Sequence, residues 1–263
     1  MEINSEINPE VILNETTNEN EVTKAEVIIE EVIKPLKKKI VTEDLGKIFE
    51  MGICLLYEIE YDGKYKYSLE EANSIKERIC QLKYVFPYNI KHIAKNKNQY
   101  DFVSINEENK GEEINLSSKT TKKDGKVCPQ VIGQPSKKKF CNFFGIDTML
   151  NLEQIKEYIV DNIKKLLEIY ALNTFDCPIV YYNKYKNLLL FIKLKENINW
   201  TNYDITFSHI HKNKKWNESS CIIINNVTIG EFQVHNHRDC IKFRWTFEKI
   251  LTLFKDNFEI IDL

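Results

Sequence analysis

Glycine and proline are scarce in this chain, 8 and 6 among 263 residues. That excludes collagen-like and Gly/Pro-rich low-complexity architectures and leaves few positions where the backbone turns left-handed without cost. Cysteine, at 7 residues, forms no C-x-x-C pair and no closely spaced framework, which argues against a disulfide scaffold. Cys54, Cys177 and Cys221 sit in apolar runs and read as reduced, buried thiols. No run approaches the ~20 apolar residues needed to span a bilayer. The first residues lack a basic stretch followed by an apolar one, so no secretory signal is expected. The expectation is a soluble, intracellular, cytoplasmic protein with no membrane partner.

Neither sign of charge dominates, with 37 Lys and Arg against 39 Asp and Glu, a net of −2. The balance is uneven along the chain. Residues 1–34 hold nine Glu and two Lys, or −7, and the remainder holds 35 basic and 30 acidic residues, or +5. From Lys119 to Lys139 there are seven Lys and one Asp, a patch suited to a polyanion or, more blandly, a solvated loop. Residues 1–40 read as a disordered acidic extension, and 41–263 as the folded domain, with a core over about 41–195 and a further part over 196–263.

Hydrophobic periodicity predicts a helix from Thr42 to about Ile59, with Leu45, Ile48, Phe49, Gly52 and Leu56 on one face. A second helix is predicted from Ser68, with Glu71 at the capping-box position, running to Pro87. Strands follow at Gln99–Ile105 and Ile114–Thr121, then a turn at Asp124-Gly125. Next come a helix from Asn151 to Ala171 and strands at 178–182, 188–194, 203–208, 221–224 and 227–235. The pair Asn225-Asn226 predicts a tight turn. A last helix is predicted from Arg238 or Asp239, with Ile241, Trp245, Ile250, Leu251 and Phe254 as its apolar positions. The sum is an α/β (α+β) fold, a mixed central sheet flanked by helices with a C-terminal strand–helix region.

Alternation on the second of the early strands puts Ser117 and Lys119 on one face, and Asp101 lies on the strand before it. A carboxylate that can hold a metal ion beside a lysine that can stabilise developing charge is an arrangement suited to phosphodiester hydrolysis. Glu50 on the preceding helix is a further candidate carboxylate. The segments YDF at 100–102, LSSKT at 116–120 and KVCPQVIGQ at 126–134 resemble type II restriction endonucleases of the PD-(D/E)xK fold. The resemblance implies Mg²⁺-dependent cleavage of double-stranded DNA, with Asp101 and Glu50 as metal ligands and Lys119 as catalytic lysine. Two departures stand out: Ser117 occupies the position of the family's second carboxylate, and no proline precedes Asp101. Either Glu50 or an acid of the loop, Glu112 or Glu113, compensates, or Gln134 helps, or the site is weakened. The resemblance also allows a homodimer.

Expected DNA contacts are Lys122, Lys123 and Lys126 in the basic patch, and Gln233, His235, Arg238, Lys242 and Arg244 in GEFQVHNHRDCIKFRW. The His209-Ile210-His211 run, with His235 and His237 of this segment, prompts a metal-site idea. A different class of function also fits: a non-catalytic DNA- or RNA-binding protein whose nuclease site has decayed at Ser117. A protein-interaction module, suggested by the acidic arm, ranks third.

Overall fold

The computed structural model describes residues 42–93, 98–104, 114–123 and 125–263. The acidic extension, Glu112, Glu113 and Asp124 lie outside the described residues.

Helix α1 (Thr42–Tyr57) buries the predicted face, Leu45, Ile48, Phe49, Gly52 and Leu56. Helix α2 (Leu69–Arg78) is capped as expected, the Ser68 hydroxyl accepting from Glu71 N at 3.1 Å. It does not run to Pro87. The chain turns at residues 79–81 and resumes as the short helix α3 (Leu82–Val85). The turn carries Phe86 to the sheet, where it meets Phe191 with ring centroids 6.2 Å apart.

Strands β1 (Ile90–His92), β2 (Phe102–Ser104) and β3 (Asn115–Thr121) form an antiparallel meander. Strand β4 (Lys126–Val127) and helices α4 (Lys137–Phe144), α5 (Leu152–Asp161) and α6 (Ile163–Phe175) follow. The single helix predicted over 151–171 is thus two, broken at Asn162. There the Asn162 side chain and backbone N–H both donate to the Tyr158 carbonyl, the local competition that disfavours Asn inside helices. Strand β5 (Ile179–Asn183) then pairs parallel with β3, the helices supplying the crossover such a pair needs. Strand β6 (Leu188–Leu194) completes a hairpin with β5.

The last third builds a second sheet. Strand β7 (Ile205–Phe207), helix α7 (Ser208–His211), strand β8 (Ser219–Ile224) and strand β9 (Val227–Val234) come first. Asn225 and Asn226 both have positive φ, 50° and 63°, as the predicted hairpin turn requires. The helix predicted from residue 238 is corrected: Ile241–Thr246 is strand β10, and helix α8 (Phe247–Leu253) begins only after it. Buried Ile241, Phe243 and Trp245 alternate with half-buried Lys242 and Arg244, a period of two that the apolar count concealed. Strand β11 (Phe258–Asp262) ends the chain.

The sheets run β1-β2-β3-β5-β6-β11 and β4-β10-β9-β8-β7. Since β4 belongs to the second sheet and β11 to the first, the chain exchanges strands across the expected division at residue 195. One apolar core joins Ile179, Tyr181 and Ile192 of the first sheet to Tyr170 of α6 and to Phe232, Phe243 and Trp245 of the second. Helix α1 covers the other face of the first sheet, Phe49 lying 5.5 Å from the Tyr182 ring. The mixed α and β content is that expected from the sequence.

Candidate functional site

Two polar constellations stand out, one on each sheet. On the first, Asp101 lies just before β2, where its carbonyl accepts from Ile93 N at 2.9 Å. Its carboxylate is only 12% exposed; Oδ2 accepts the Ser118 backbone N–H at 2.7 Å and faces Lys119 Nζ at 3.5 Å. Lys119 is 9% exposed, so this is a buried ion pair, costly to desolvate and held by one backbone hydrogen bond. The parallel register aligns Ser117 with Ile179 and Lys119 with Tyr181, so Ser117 and Lys119 share a face as predicted.

The parallel pairing adds two groups that the sequence reading missed. The Cys177 thiol is pushed up to about 12 by burial and by Asp176, against a hydrogen bond from Ser117 and the charge of Lys119. It therefore stays protonated beside Ser117. Asp176 caps the C-terminal end of α6 and accepts from Tyr100 Oη at 2.8 Å and from Gln99. Burial raises its carboxyl above the usual aspartate range despite these bonds. A carboxylate at the negative end of a helix dipole is unfavourable, the one signal in the sequence that could have singled Asp176 out.

Glu50 is held elsewhere. Its Oε2 accepts from Tyr61 Oη at 3.4 Å and lies 3.4 Å from Nε2 of His92, out of hydrogen-bond alignment. His92 Nδ1 accepts from Asp62 N at 2.8 Å, which leaves the ring proton on Nε2, toward Glu50. Helix α1 packs on the face of β3 that carries Thr120; a Cβ on Gly46 would sit 3.6 Å from Thr120 Oγ1. Strand alternation turns Lys119 away from that face. The structure thus brings Asp101, Ser117 and Lys119 together and pairs Glu50 with His92 and Tyr61.

The second constellation is one face of the second sheet. Glu231 is buried there, accepting from Lys126 Nζ at 2.7 Å, Gln233 Nε2 at 2.7 Å and Arg244 Nε at 2.9 Å. Burial alone would raise its carboxyl, but the hydrogen bonds from Lys126 and Arg244 outweigh it and hold the group below the usual glutamate range. Cross-strand register puts Lys242 opposite Gln233 and Arg244 opposite Glu231. Gln134 joins this face and not the Asp101 group: Phe243 N donates to the Gly133 carbonyl and Ile241 N to that of Pro135, setting Gln134 alongside Lys242. Lys122 and Lys123 follow the end of β3, with Lys123 Nζ 5.9 Å from the Tyr185 ring centre. His235 continues the face beyond β9, and Arg238 is exposed in the following loop. His209 is occupied elsewhere, its Nδ1 2.7 Å from Ser220 Oγ.

Among the described residues, no helix is long and apolar enough to cross a membrane. No protein-family model matches the chain. No solved structure matches it either. Among curated proteins, the type II restriction enzyme CviAII of Paramecium bursaria Chlorella virus 1 is 44% identical over 222 residues, 84% of this chain and 63% of that enzyme. The likeness to a type II restriction enzyme therefore extends over most of the chain, well beyond the short motifs that first carried it, while the chain spans under two thirds of its relative's length.

Proposed function

We propose that this chain, similar over most of its length to a type II restriction enzyme, is a site-specific endonuclease that cleaves double-stranded DNA with Mg²⁺ at the Asp101–Lys119 group. The observation that carries the reading is the buried pair of Asp101, just before β2, and Lys119 on the adjoining strand β3, with Ser117 on the same face of β3. Such a pair is expensive as architecture alone and useful where a phosphate must be met by both a metal ligand and a cation.

The donors suit a hard cation. Asp101 offers one carboxylate and Ser117 a hydroxyl oxygen, and Mg²⁺ is commonly held by one or two carboxylates completed by water and substrate phosphates. When bound, Mg²⁺ supplies Lewis-acid polarisation of the scissile phosphate and a more acidic water. Asp101 holds the cation and, through Oδ2, fixes the ammonium of Lys119, whose charge offsets that developing on the phosphate. Asp176, whose charge is felt at the Cys177 thiol that Ser117 hydrogen-bonds, is the carboxylate we assign to offset the charge that Ser117 lacks. Glu50 acts through His92 and Tyr61, as a positioning residue. Lys122, Lys123 and Lys126 bind phosphates; Gln134, Gln233, Lys242 and Arg238 line the base-reading side, with Arg244 oriented by Glu231. A symmetric cut in both strands calls for two copies, so a homodimer is the assembly we expect.

The test is digestion of a broad DNA panel by the full chain in Mg²⁺. Discrete fragments from the wild type are expected, with Lys119→Met slowed about 10²-fold or more, Asp101→Asn as severely, and Asp176→Asn to a smaller degree. If the wild type cuts no better than Lys119→Met, yet binds the same DNA with steep salt dependence, the non-catalytic reading replaces this one.

A further inference from the structure

The four-histidine idea from the sequence resolves into a different and tighter group. Glu218, just before β8, and His235 and His237, just after β9, bring ligand atoms within 4.8 Å of one another. The two strand ends are fastened by a hydrogen bond from Val234 N to the Glu218 carbonyl at 2.7 Å. Both imidazoles turn the same atom to the one carboxylate: His235 Nδ1 is 3.2 Å from Oε2, and His237 Nδ1 is 3.3 Å from Oε1. Four-coordinate zinc with bonds of about 2.0–2.1 Å has donor-to-donor edges of roughly 3.3 Å. His235 Nδ1 is, in addition, buried with no hydrogen-bond partner, although a buried ring nitrogen ordinarily has one.

We propose that Glu218, His235 and His237 form a transition-metal site of N₂O donors, selective for Zn²⁺ over Mg²⁺, with water as the fourth ligand. Two imidazoles and one carboxylate suit zinc, a borderline-soft cation, whereas Mg²⁺ prefers an all-oxygen shell. The site is separate from the Asp101 group and does not rest on the nuclease reading. It ties the start of β8 to the end of β9 and so anchors the loop over 235–240, which carries Arg238 and leads into β10. On this assignment His235 is a ligand and not a DNA contact, and His209 and His211 take no part.

The experiment is zinc titration of the chelator-stripped full chain, followed by calorimetry and by competition with a chromophoric chelator, with Co²⁺ visible absorption as a spectroscopic check. One equivalent of Zn²⁺ is expected, undisturbed by millimolar Mg²⁺. Loss of an outer partner alone costs metal sites 10–100-fold, so His237→Ala and Glu218→Ala should weaken zinc binding at least about tenfold and abolish the tetrahedral Co²⁺ band. His237 is 60% exposed, so its substitution tests ligation without threatening the fold; His211→Ala, at an exposed position outside the group, should bind as the wild type. No stoichiometric binding, retention of full affinity by His237→Ala and Glu218→Ala, or displacement by Mg²⁺ would each overturn the assignment. Cleavage activity is not the readout, so failure here and failure of the nuclease reading are separable.

Discussion

Asp101 and Lys119 depend on each other in a way that stability can measure. Removing one partner of a buried pair leaves the other charge uncompensated, at about 3–5 kcal/mol. Asp101→Ala strands the Lys119 ammonium and the Ser118 N–H together, both of which now meet Oδ2. Lys119→Met leaves Asp101 with its Ser118 bond and fills the space with a side chain of similar length. We expect Asp101→Ala to lower the free energy of unfolding by about 3 kcal/mol or more and Lys119→Met by clearly less, read from urea midpoints at neutral pH. Equal losses would mean that the Ser118 bond carries nothing. This pair was legible because two-residue alternation within one strand and the adjacency of consecutive strands are both local facts. Cys177 was not legible, since it reaches Ser117 only through the parallel pairing of β3 with β5, some sixty positions away, and the partners of Asp176, Tyr100 and Gln99, are likewise distant in sequence. For Glu50 the sequence predicted the helix but could not name His92 and Tyr61 as its partners.

Helices α1 and α2 meet at a glycine. A Cβ on Gly52 would stand 2.6 Å from Ile75 Cγ2, closer than real Cβ atoms come, and a tight 3.1 Å from the Ala72 carbonyl. Ala is the better helix former, by about 1 kcal/mol in an exposed helix, so propensity predicts stabilisation at this position. Close packing predicts the reverse, because Ile75 and Ala72 are buried and have little room to withdraw. We expect packing to win: Gly52→Ala should destabilise by about 1–3 kcal/mol, the usual cost of overfilling a core, and a raised unfolding midpoint would refute the close approach. The helical period of α1 was readable because its apolar stripe is long and uninterrupted. The strand β10 was misread for the converse reason: Ile241, Phe243 and Trp245 run straight into the apolar positions of α8, and a count of hydrophobic residues merges the two. Only the alternation with Lys242 and Arg244 separates them. The break at residues 79–81 is set by where Phe86 must land against Phe191, which no local pattern encodes, whereas the break at Asn162 has a local cause, the bonds of Asn162 to the Tyr158 carbonyl, that the long apolar stripe masked.

At the scale of the whole molecule, the carboxylates that fasten its elements make it acid-labile. Glu231 ties β4, β9 and β10 through Lys126 and Arg244. Glu248, from α8, accepts from Tyr181 Oη at 3.0 Å and from Asn183 Nδ2 at 2.6 Å, both on β5, and pairs with Lys186. For both, burial pushes the carboxyl up and the hydrogen bonds more than reverse it, so each titrates in the folded chain below the usual 4.5. The unfolded chain then binds more protons on acidification, and stability present above about 4.5 is lost as pH falls through the folded values. His209 acts in the same direction from higher pH: burial, with the charge of Lys156, lowers it from 6.5, so below 6.5 the unfolded chain gains a proton that the folded one resists. Asp176 opposes them, because burial raises it from 3.8 and the folded chain takes up that proton first. Three groups against one predict a urea midpoint that is level at neutral pH, declines gently below about 6.5 and falls steeply below about 4.5. Glu231→Gln should lower the midpoint at pH 7, where Lys126 and Arg244 lose a charged partner, and flatten the acid decline. A midpoint unchanged between pH 7 and pH 4, or an acid slope that Glu231→Gln leaves intact, would show that the second sheet is not fastened through this carboxylate.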